Sequence, residues 1–283
     1  MNGSQFITWE DAVEWLITQP DQHELVKACY YDRPLLQAAY RFWSSEEWRA
    51  VRKLSPRLPG KALDIGAGNG IASFALAKDR WETTALEPDP SQKVGAGAIK
   101  ALADESGLDI SVVQEHGERL PFPNTAFDMI HARQVLHHMT DLKRFCQEVF
   151  RVLKPGGTFI ATREHVISKQ ADLQKFFELH PLHRLYGREN AYKLNYYLST
   201  IRSSGIKVDK VLLSFDSVIN YAPFTKDSLR NELEKRLSYF GMRWVISSLL
   251  DKEYLFKVVL FLMSRLDRRP GRLVSFVCHK PIA

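Results

Sequence analysis

Cysteine is scarce in this chain: Cys29, Cys146 and Cys278 are the only three in 283 residues. Odd in number and far apart, they build neither a disulfide framework nor a Cys-x-x-Cys metal pair, so a reducing compartment is expected. Long hydrophobic runs are also missing. The nearest candidate for a membrane span, Met242 to Met263, is interrupted by Arg243, Asp251, Lys252, Glu253 and Lys257, whereas a span needs roughly 18 uninterrupted apolar residues. Met1-Asn2-Gly3-Ser4 lacks the basic start and apolar stretch of a secretion signal, which leaves the Asn2-Gly3-Ser4 sequon a chance match. Fifteen glycines and thirteen prolines exclude a collagen-like or low-complexity chain. These absences lead to the expectation of a globular cytoplasmic protein.

What the chain does have is a formal charge of +6, unevenly spread. Residues 1–59 carry seven basic and eight acidic side chains, and residues 60–163 carry twelve and thirteen. Residues 164–224 carry eight and six, while residues 225–272 carry eleven and six. Almost the whole excess therefore sits in one apolar, helical segment. There Trp244, Val245, Leu249, Leu250, Phe256 and Leu260 stand among Arg243, Lys252, Lys257, Arg265, Arg268 and Arg269. Basic amphipathic helices lie on anionic membrane surfaces or cover a pocket; the plainer alternative is an insertion packed on the rest of the fold. No nucleic-acid module or zinc-ligand spacing accompanies the charge, so nucleic acid is disfavoured as a partner.

Periodicity divides the chain into five parts. Residues 1–59 read as an N-terminal helical cap, with Thr8-Trp9-Glu10-Asp11 as a capping sequence. Residues 60–163 alternate short apolar runs with helical ones, which predicts a parallel sheet covered on both faces. Residues 164–224 continue this core, with a helix over 191–204. Residues 225–271 form the helical insertion, including a helix over 242–266, and residues 272–283 hold a final strand.

Asp64-Ile65-Gly66-Ala67-Gly68-Asn69-Gly70 closes a strand and opens a helix. Glycines there let the backbone take up φ > 0 and pass close to a ligand. Glu87, 21 residues after Gly66 at the end of the second strand, is placed to accept hydrogen bonds from ribose hydroxyls. The third glycine of a dinucleotide fingerprint would fall on Ile71, and Asp64 would repel a pyrophosphate while attracting an amino group. This disfavours a nicotinamide-dependent oxidoreductase and favours a nucleoside with a cationic end.

The run ALDIGAGNGIASFALA resembles the first motif of class I S-adenosylmethionine-dependent methyltransferases, in a type 11-like domain. TTALEPDPS, ERLPFPNTAFDMI and VLHHMTDLKRFCQEVFRVLKPGGTFIAT resemble the segments that follow, in the same order, over about residues 60–163. The resemblance implies an α/β fold: a doubly wound, seven-stranded, mostly parallel sheet (a Rossmann-like methyltransferase fold) whose last strand, Arg272 to Cys278, is antiparallel. It implies S-adenosyl-L-methionine as cofactor, bound by Asp64, Gly66, Ala67, Gly68, Glu87, Pro88, His116, Gly117 and Arg133. Asp64 would orient the methionine amino group and Glu87 would bind the ribose. His116 stands where the family often carries Asp or Asn toward the adenine.

Candidates for acceptor chemistry follow the fourth and fifth strands: His137 and His138, then Arg163, Glu164 and His165. His137 or His138 could act as a base, with packing or capping as the alternative for each, and His165 could act as a base or substrate contact, with a solvated loop as the alternative. Gln134, Val135 and His137 occupy positions where some relatives place metal ligands, so no metal is expected. HPLHRLYGRENAY (180–192) and CYYDRPLLQAAYRFWSSEEW (29–48) look like acceptor-site and lid segments of one subgroup. On that likeness Tyr31, Arg41, Tyr186 and Asn190 would contact substrate, and Arg163 would join them from the end of the fifth strand. The expected activity is methyl transfer to a small-molecule or saccharide acceptor, in a lipid-linked form if the basic helices meet the inner face of a membrane. Two alternatives stay open, a cofactor-binding protein without catalysis and an RNA methyltransferase. The acceptor and the oligomeric state have no signature in the chain.

Overall fold

A computed structural model of the protein describes residues 7–179, 181–186, 190–238 and 250–282. The sheet is assembled from β1 (Lys61–Ile65), β2 (Glu82–Leu86), β3 (Ile110–Val113), β4 (Phe127–Arg133), β5 (Leu153–Ile167), β7 (Lys207–Leu212) and β8 (Arg272–His279), in the order β3-β2-β1-β4-β5-β8-β7. The first five pair in parallel, and β8 is antiparallel to both its neighbours. An additional two-residue strand, β6 (Tyr192–Lys193), pairs with Val166 and Ile167 at the far end of β5. It lies where the spacing predicted helix; the helix begins only after it, because β5 runs past Thr162 and offers a partner for the extended chain.

Sheet alternation decides which helices lie on which face. Ala62, Met129 and Ile160 point toward α3 (Leu35–Ser44), α4 (Glu46–Arg52) and α5 (Ile71–Lys78), where they pack with Phe42, Trp48 and Phe74. Leu63, Ile130 and Phe159 point the other way, toward α7 (Leu142–Val152) and α10 (Leu194–Ser203). α7 buries Leu142, Phe145, Cys146, Val149 and Val152, one stripe at helical spacing, and the Asp141 carboxylate caps it by accepting from Arg144 N–H. α6 (Ala96–Ser106) closes the β2–β3 crossover by burying Ile99 and Ala103.

The N-terminal region contributes α1 (Trp9–Thr18), α2 (His23–Ala28), α3 and α4. Thr8 caps α1 as its sequence suggests, accepting from Asp11 N–H at 3.1 Å. α8 (Asp172–Leu179), α9 (Pro181–Tyr186) and α11 (Val218–Tyr221) surround the end of β5. α12 (Lys226–Ser238) and α13 (Glu253–Leu266) form the basic segment. Of the helix expected over 242–266, the part at 242–249, with Arg243, Trp244, Val245 and Leu249, lies outside the described residues. Phe256 and Leu260 of α13 pack with Leu229 and Leu250 in a small core of their own, while Tyr254, Phe261, Leu262 and Leu266 stay exposed.

Candidate functional site at the carboxyl edge of the sheet

The loop after β1 passes through three left-handed glycines, Gly66 (φ 63°), Gly68 (φ 56°) and Gly70 (φ 87°). Gly66 and Ala67 both donate their N–H to Leu86 O, at 2.8 and 3.1 Å, which anchors the loop to β2. A Cβ on Gly66 would stand 2.7 Å from Val135 Cγ2, so that position is closed by packing. A Cβ on Gly68 would meet nothing within 4 Å. The loop thus holds open space above Gly68.

Glu87 borders that space. Its Oε2 accepts from Gly68 N–H at 2.7 Å and its Oε1 from Asp89 N–H at 3.0 Å. With 8% of its surface exposed, burial pushes the carboxyl up to about 7 in spite of those two bonds. Pro88 is exposed beside it, and His116 is exposed on the loop after β3. Gly117 is buried under Phe145, where a Cβ would come within 2.9 Å of the ring. A carboxylate acceptor, an open glycine cradle and exposed side chains on the next loop fit a nucleoside.

Asp64 departs from its expected place. Its side chain lies on the α5 face of β1 at 1% exposure, where Oδ2 accepts from Ser73 Oγ (2.6 Å) and Oδ1 from His131 Nδ1 (3.0 Å). The strand register directs it inward, so it supports the loop from below and offers no exposed carboxylate to an amino group. Nothing in the local pattern announces this turn, since its partners Ser73 and His131 come from other elements.

The N-terminal helices lie over the same loops. Asn69 Nδ2 donates to Tyr30 O at 2.9 Å, and Ser91 Oγ donates to Glu10 Oε2 at 2.5 Å. Tyr31 and Tyr186 meet through Trp9, with ring centroids 6.3 and 5.2 Å from it. Arg41 is held by Asp32 and Lys27 O against the Tyr30 ring, so it fastens its own segment together. Asn190 Oδ1 accepts from the N–H of Ala191.

Two non-glycine residues sit in the left-handed region, Gln134 (φ 59°) just after β4 and Arg163 (φ 61°) within β5, a conformation that costs of order 1–3 kcal/mol and clusters at functional sites. Arg163 is the extra residue of a bulge between Ala161 and Glu164. Sequence reasoning aimed Arg163 at substrate. Instead it is 8% exposed and turned toward α11, with Nη1 donating to Ile219 O (2.8 Å) and Ala222 O (3.1 Å). Arg133 joins the same buried group, its Nε donating to Glu47 Oε1 at 2.8 Å, and Arg163 Nε lies 3.9 Å from that oxygen. Burial alone would raise the Glu47 carboxyl, but Arg133 and Arg163 together hold it below its ordinary value. Glu47 reads in the sequence as an ordinary first-turn acid of a helix, so its role was invisible there.

The bulge also sets Glu164. This fully buried carboxylate accepts from Val135 N–H (3.0 Å), from His137 N–H (3.2 Å) and from His137 Nδ1 (2.8 Å). The last bond needs a hydrogen on Nδ1, and the His137 ring itself is 1% exposed. His138, exposed, lies tilted by 37° against His137 with centroids 4.2 Å apart, and His165 meets His137 edge-on at 4.7 Å. His165 Nδ1 donates to Gly271 O at 2.9 Å. The three histidines singled out in the sequence therefore converge, and His183 joins them at 5.6 Å from His165.

Comparison with known proteins places this geometry. A family model described as a methyltransferase domain matches residues 63–161. The chain is 32% identical over 127 residues to the uncharacterized methyltransferase YcgJ of Bacillus subtilis, covering 44% of this chain and 49% of that protein. It is 27% identical over 216 residues to the ubiquinone/menaquinone biosynthesis C-methyltransferase UbiE of Bartonella bacilliformis, covering 71% of this chain and 78% of that one. Among solved structures, the [4+2]-cyclase SpnF superposes with a TM-score of 0.56 at 19% identity, covering 87% and 82% of the two chains. A likeness at that identity speaks to fold, and one fold hosts many chemistries.

Proposed function

From the premise that this chain is a class I S-adenosylmethionine-dependent methyltransferase, we propose that it methylates a small-molecule acceptor at the carboxyl edge of the sheet, with His137 as base. One observation carries the reading: the open cradle at Gly68 follows β1 and His137 follows β4, held by Glu164 of β5, and β1, β4 and β5 are neighbours in one sheet. When bound, S-adenosylmethionine supplies an activated sulfonium methyl group, so transfer needs mainly a nucleophile held close and in line.

In this reading Gly66, Ala67 and Gly68 bring the backbone against the cofactor, and the Glu87 carboxylate accepts from its ribose. His116, Pro88 and Gly117 border the adenine. Asp64 holds the loop from beneath through Ser73 and His131, and Arg133 with Glu47 closes the methionine end under Tyr30. His137 Nε2 removes a proton from a hydroxyl, an acidic carbon or a protonated nitrogen. Glu164 fixes the tautomer and stabilises the cationic ring that results. His165 and His138 flank it on the acceptor side. UbiE, named as a C-methyltransferase of quinone biosynthesis, supports an acceptor of small-molecule size.

The exposed apolar residues of α13 stand beside Lys257 and Arg265, a surface suited to the anionic face of a membrane. A lipid-linked acceptor would then be taken from that surface.

The test pairs two measurements on the full chain. Calorimetry should show saturable binding of S-adenosylmethionine that Glu87→Gln weakens at least tenfold. Tritiated methyl transfer into a cell extract should label a small-molecule fraction, and His137→Gln should abolish the label while cofactor binding persists. Binding without transfer to any fraction would reduce the protein to a cofactor-binding module.

A further inference from the structure

A cavity of about 470 Å³ opens beside the site just described, between the sheet edge and the basic helices. Its walls come from the segment after β7, from α12 and α13, and from the turn that leads into β8. β7 and β5 both run antiparallel to β8, so the end of β7, the start of β8 and the end of β5 share one edge of the sheet. That is the edge at which open α/β sheets bind ligands. Gly271 lines the cavity and its carbonyl accepts from His165, so one peptide separates the cavity from the histidine group.

The lining has two chemistries. Phe215, Tyr221, Leu229, Leu233, Met263 and Leu273 make an apolar wall of the kind that holds a drug-sized body. Arg236, Arg269 and Arg272 add three cations against the one carboxylate of Glu232. Arg236 donates to Glu232, and Arg269 is paired with Asp267. Arg272 differs. Its Nη1 donates to Ser168 Oγ at 2.9 Å, and among the described residues no carboxylate lies within ion-pair distance of it. Burial, with Arg268 nearby, lowers the Arg272 guanidinium below its ordinary value although the charges of Asp267 and Asp172 act in the opposite direction. A planar guanidinium with donors to spare matches a carboxylate or a phosphate.

We infer that this cavity is the acceptor pocket and that it selects an amphipathic anion: an apolar body ending in a carboxylate or phosphate that pairs with Arg272, its reactive atom directed toward His165. The inference rests on the proposed methyltransferase function and names the substrate class for it.

The experiment uses the full chain and three probes with the same tail, decanoate, decyl phosphate and decanol, titrated calorimetrically below their aggregation limits. At least one anion should bind about tenfold more tightly than decanol, as a charge-assisted hydrogen bond supplies. The preferred anion identifies the head group. Arg272→Met should remove that preference and leave decanol unchanged, and Arg272→Lys should restore part of it. Leu233→Trp, which fills the cavity, should weaken all three. Equal binding of the three probes, or an anion preference that survives Arg272→Met, overturns the inference. Binding of S-adenosylmethionine is measured on the same samples. Its failure in the unaltered protein would sink the methyltransferase reading, whereas its persistence in Arg272→Met localises any loss to the pocket.

Discussion

Glu87 combines a ligand-facing position with a carboxyl raised to about 7 by burial. Ribose hydroxyls are donors and favour the ionised form, so cofactor binding should release a proton. The sign follows. Below pH about 7 the free protein holds Glu87 protonated, one acceptor is lost, and affinity falls by up to about tenfold per pH unit. Calorimetry in buffers of different ionisation enthalpy checks both the proton release and the slope, and Glu87→Gln should flatten the profile. Gly66 and Gly68 separate two meanings of a glycine. Gly66→Ala drives a methyl into Val135 and should lower the midpoint of denaturant unfolding, while Gly68→Ala meets no neighbour and costs only the left-handed penalty of about 1–2 kcal/mol. Gly68→Ala should nevertheless lose the cofactor, because its methyl occupies the cradle. Both glycines and Glu87 were legible from spacing alone. The pairing of Glu164 with His137, the role of Glu47 and the inward turn of Asp64 were not, because each depends on a partner from another strand or helix.

Among the elements, the junction of α3 and α4 with α5 turns on one carboxylate. Asp79 accepts from Trp43 Nε1 (2.8 Å), Trp48 Nε1 (2.8 Å) and Arg52 Nε (2.7 Å). Asp79→Ala leaves these donors unsatisfied and should cost about 2–4 kcal/mol in urea unfolding. Cofactor affinity should fall with it, since Tyr30 reaches Asn69 only while these helices stay docked. Glu164→Ala offers the matching test at the bulge. It orphans three donors, so a loss of about 3 kcal/mol is expected, whereas Glu164→Gln should keep much of the fold and shift the pH profile of kcat. The helix and strand alternation of 60–163 was readable because buried parallel strands and amphipathic helices differ in period. β6 escaped because two residues carry no period, and β5 proved longer because its continuation is buried by tertiary neighbours rather than by its own pattern.

For the molecule as a whole, the basic excess resolves into two surfaces of one segment. The inner side lines the anionic-acceptor cavity with Arg236, Arg269 and Arg272, and the outer side presents Tyr254, Phe261, Leu262 and Leu266 with Lys257 and Arg265. Sedimentation with vesicles should therefore show binding to anionic bilayers that weakens with salt and vanishes for neutral ones, and Phe261→Glu with Leu262→Glu should abolish it without touching cofactor affinity. Absence of sedimentation with anionic vesicles would return the helix to a purely packing role. Charge counting found the segment. It could not divide it between an inner and an outer face, since that division comes from how α13 packs on α12.

The placement of β8 between β5 and β7 bears on synthesis as well as on architecture. A nascent chain makes β1 to β5 early, and each of those strands has a partner within that group. β7 has no partner among them and waits for residues 272–279 before it joins the sheet. Until then the β5 edge is unpaired and the acceptor cavity lacks a wall, so a stalled or shortened chain would display a sticky strand edge to other chains. Completion of the pocket and protection from aggregation thus arrive together, with a single late strand.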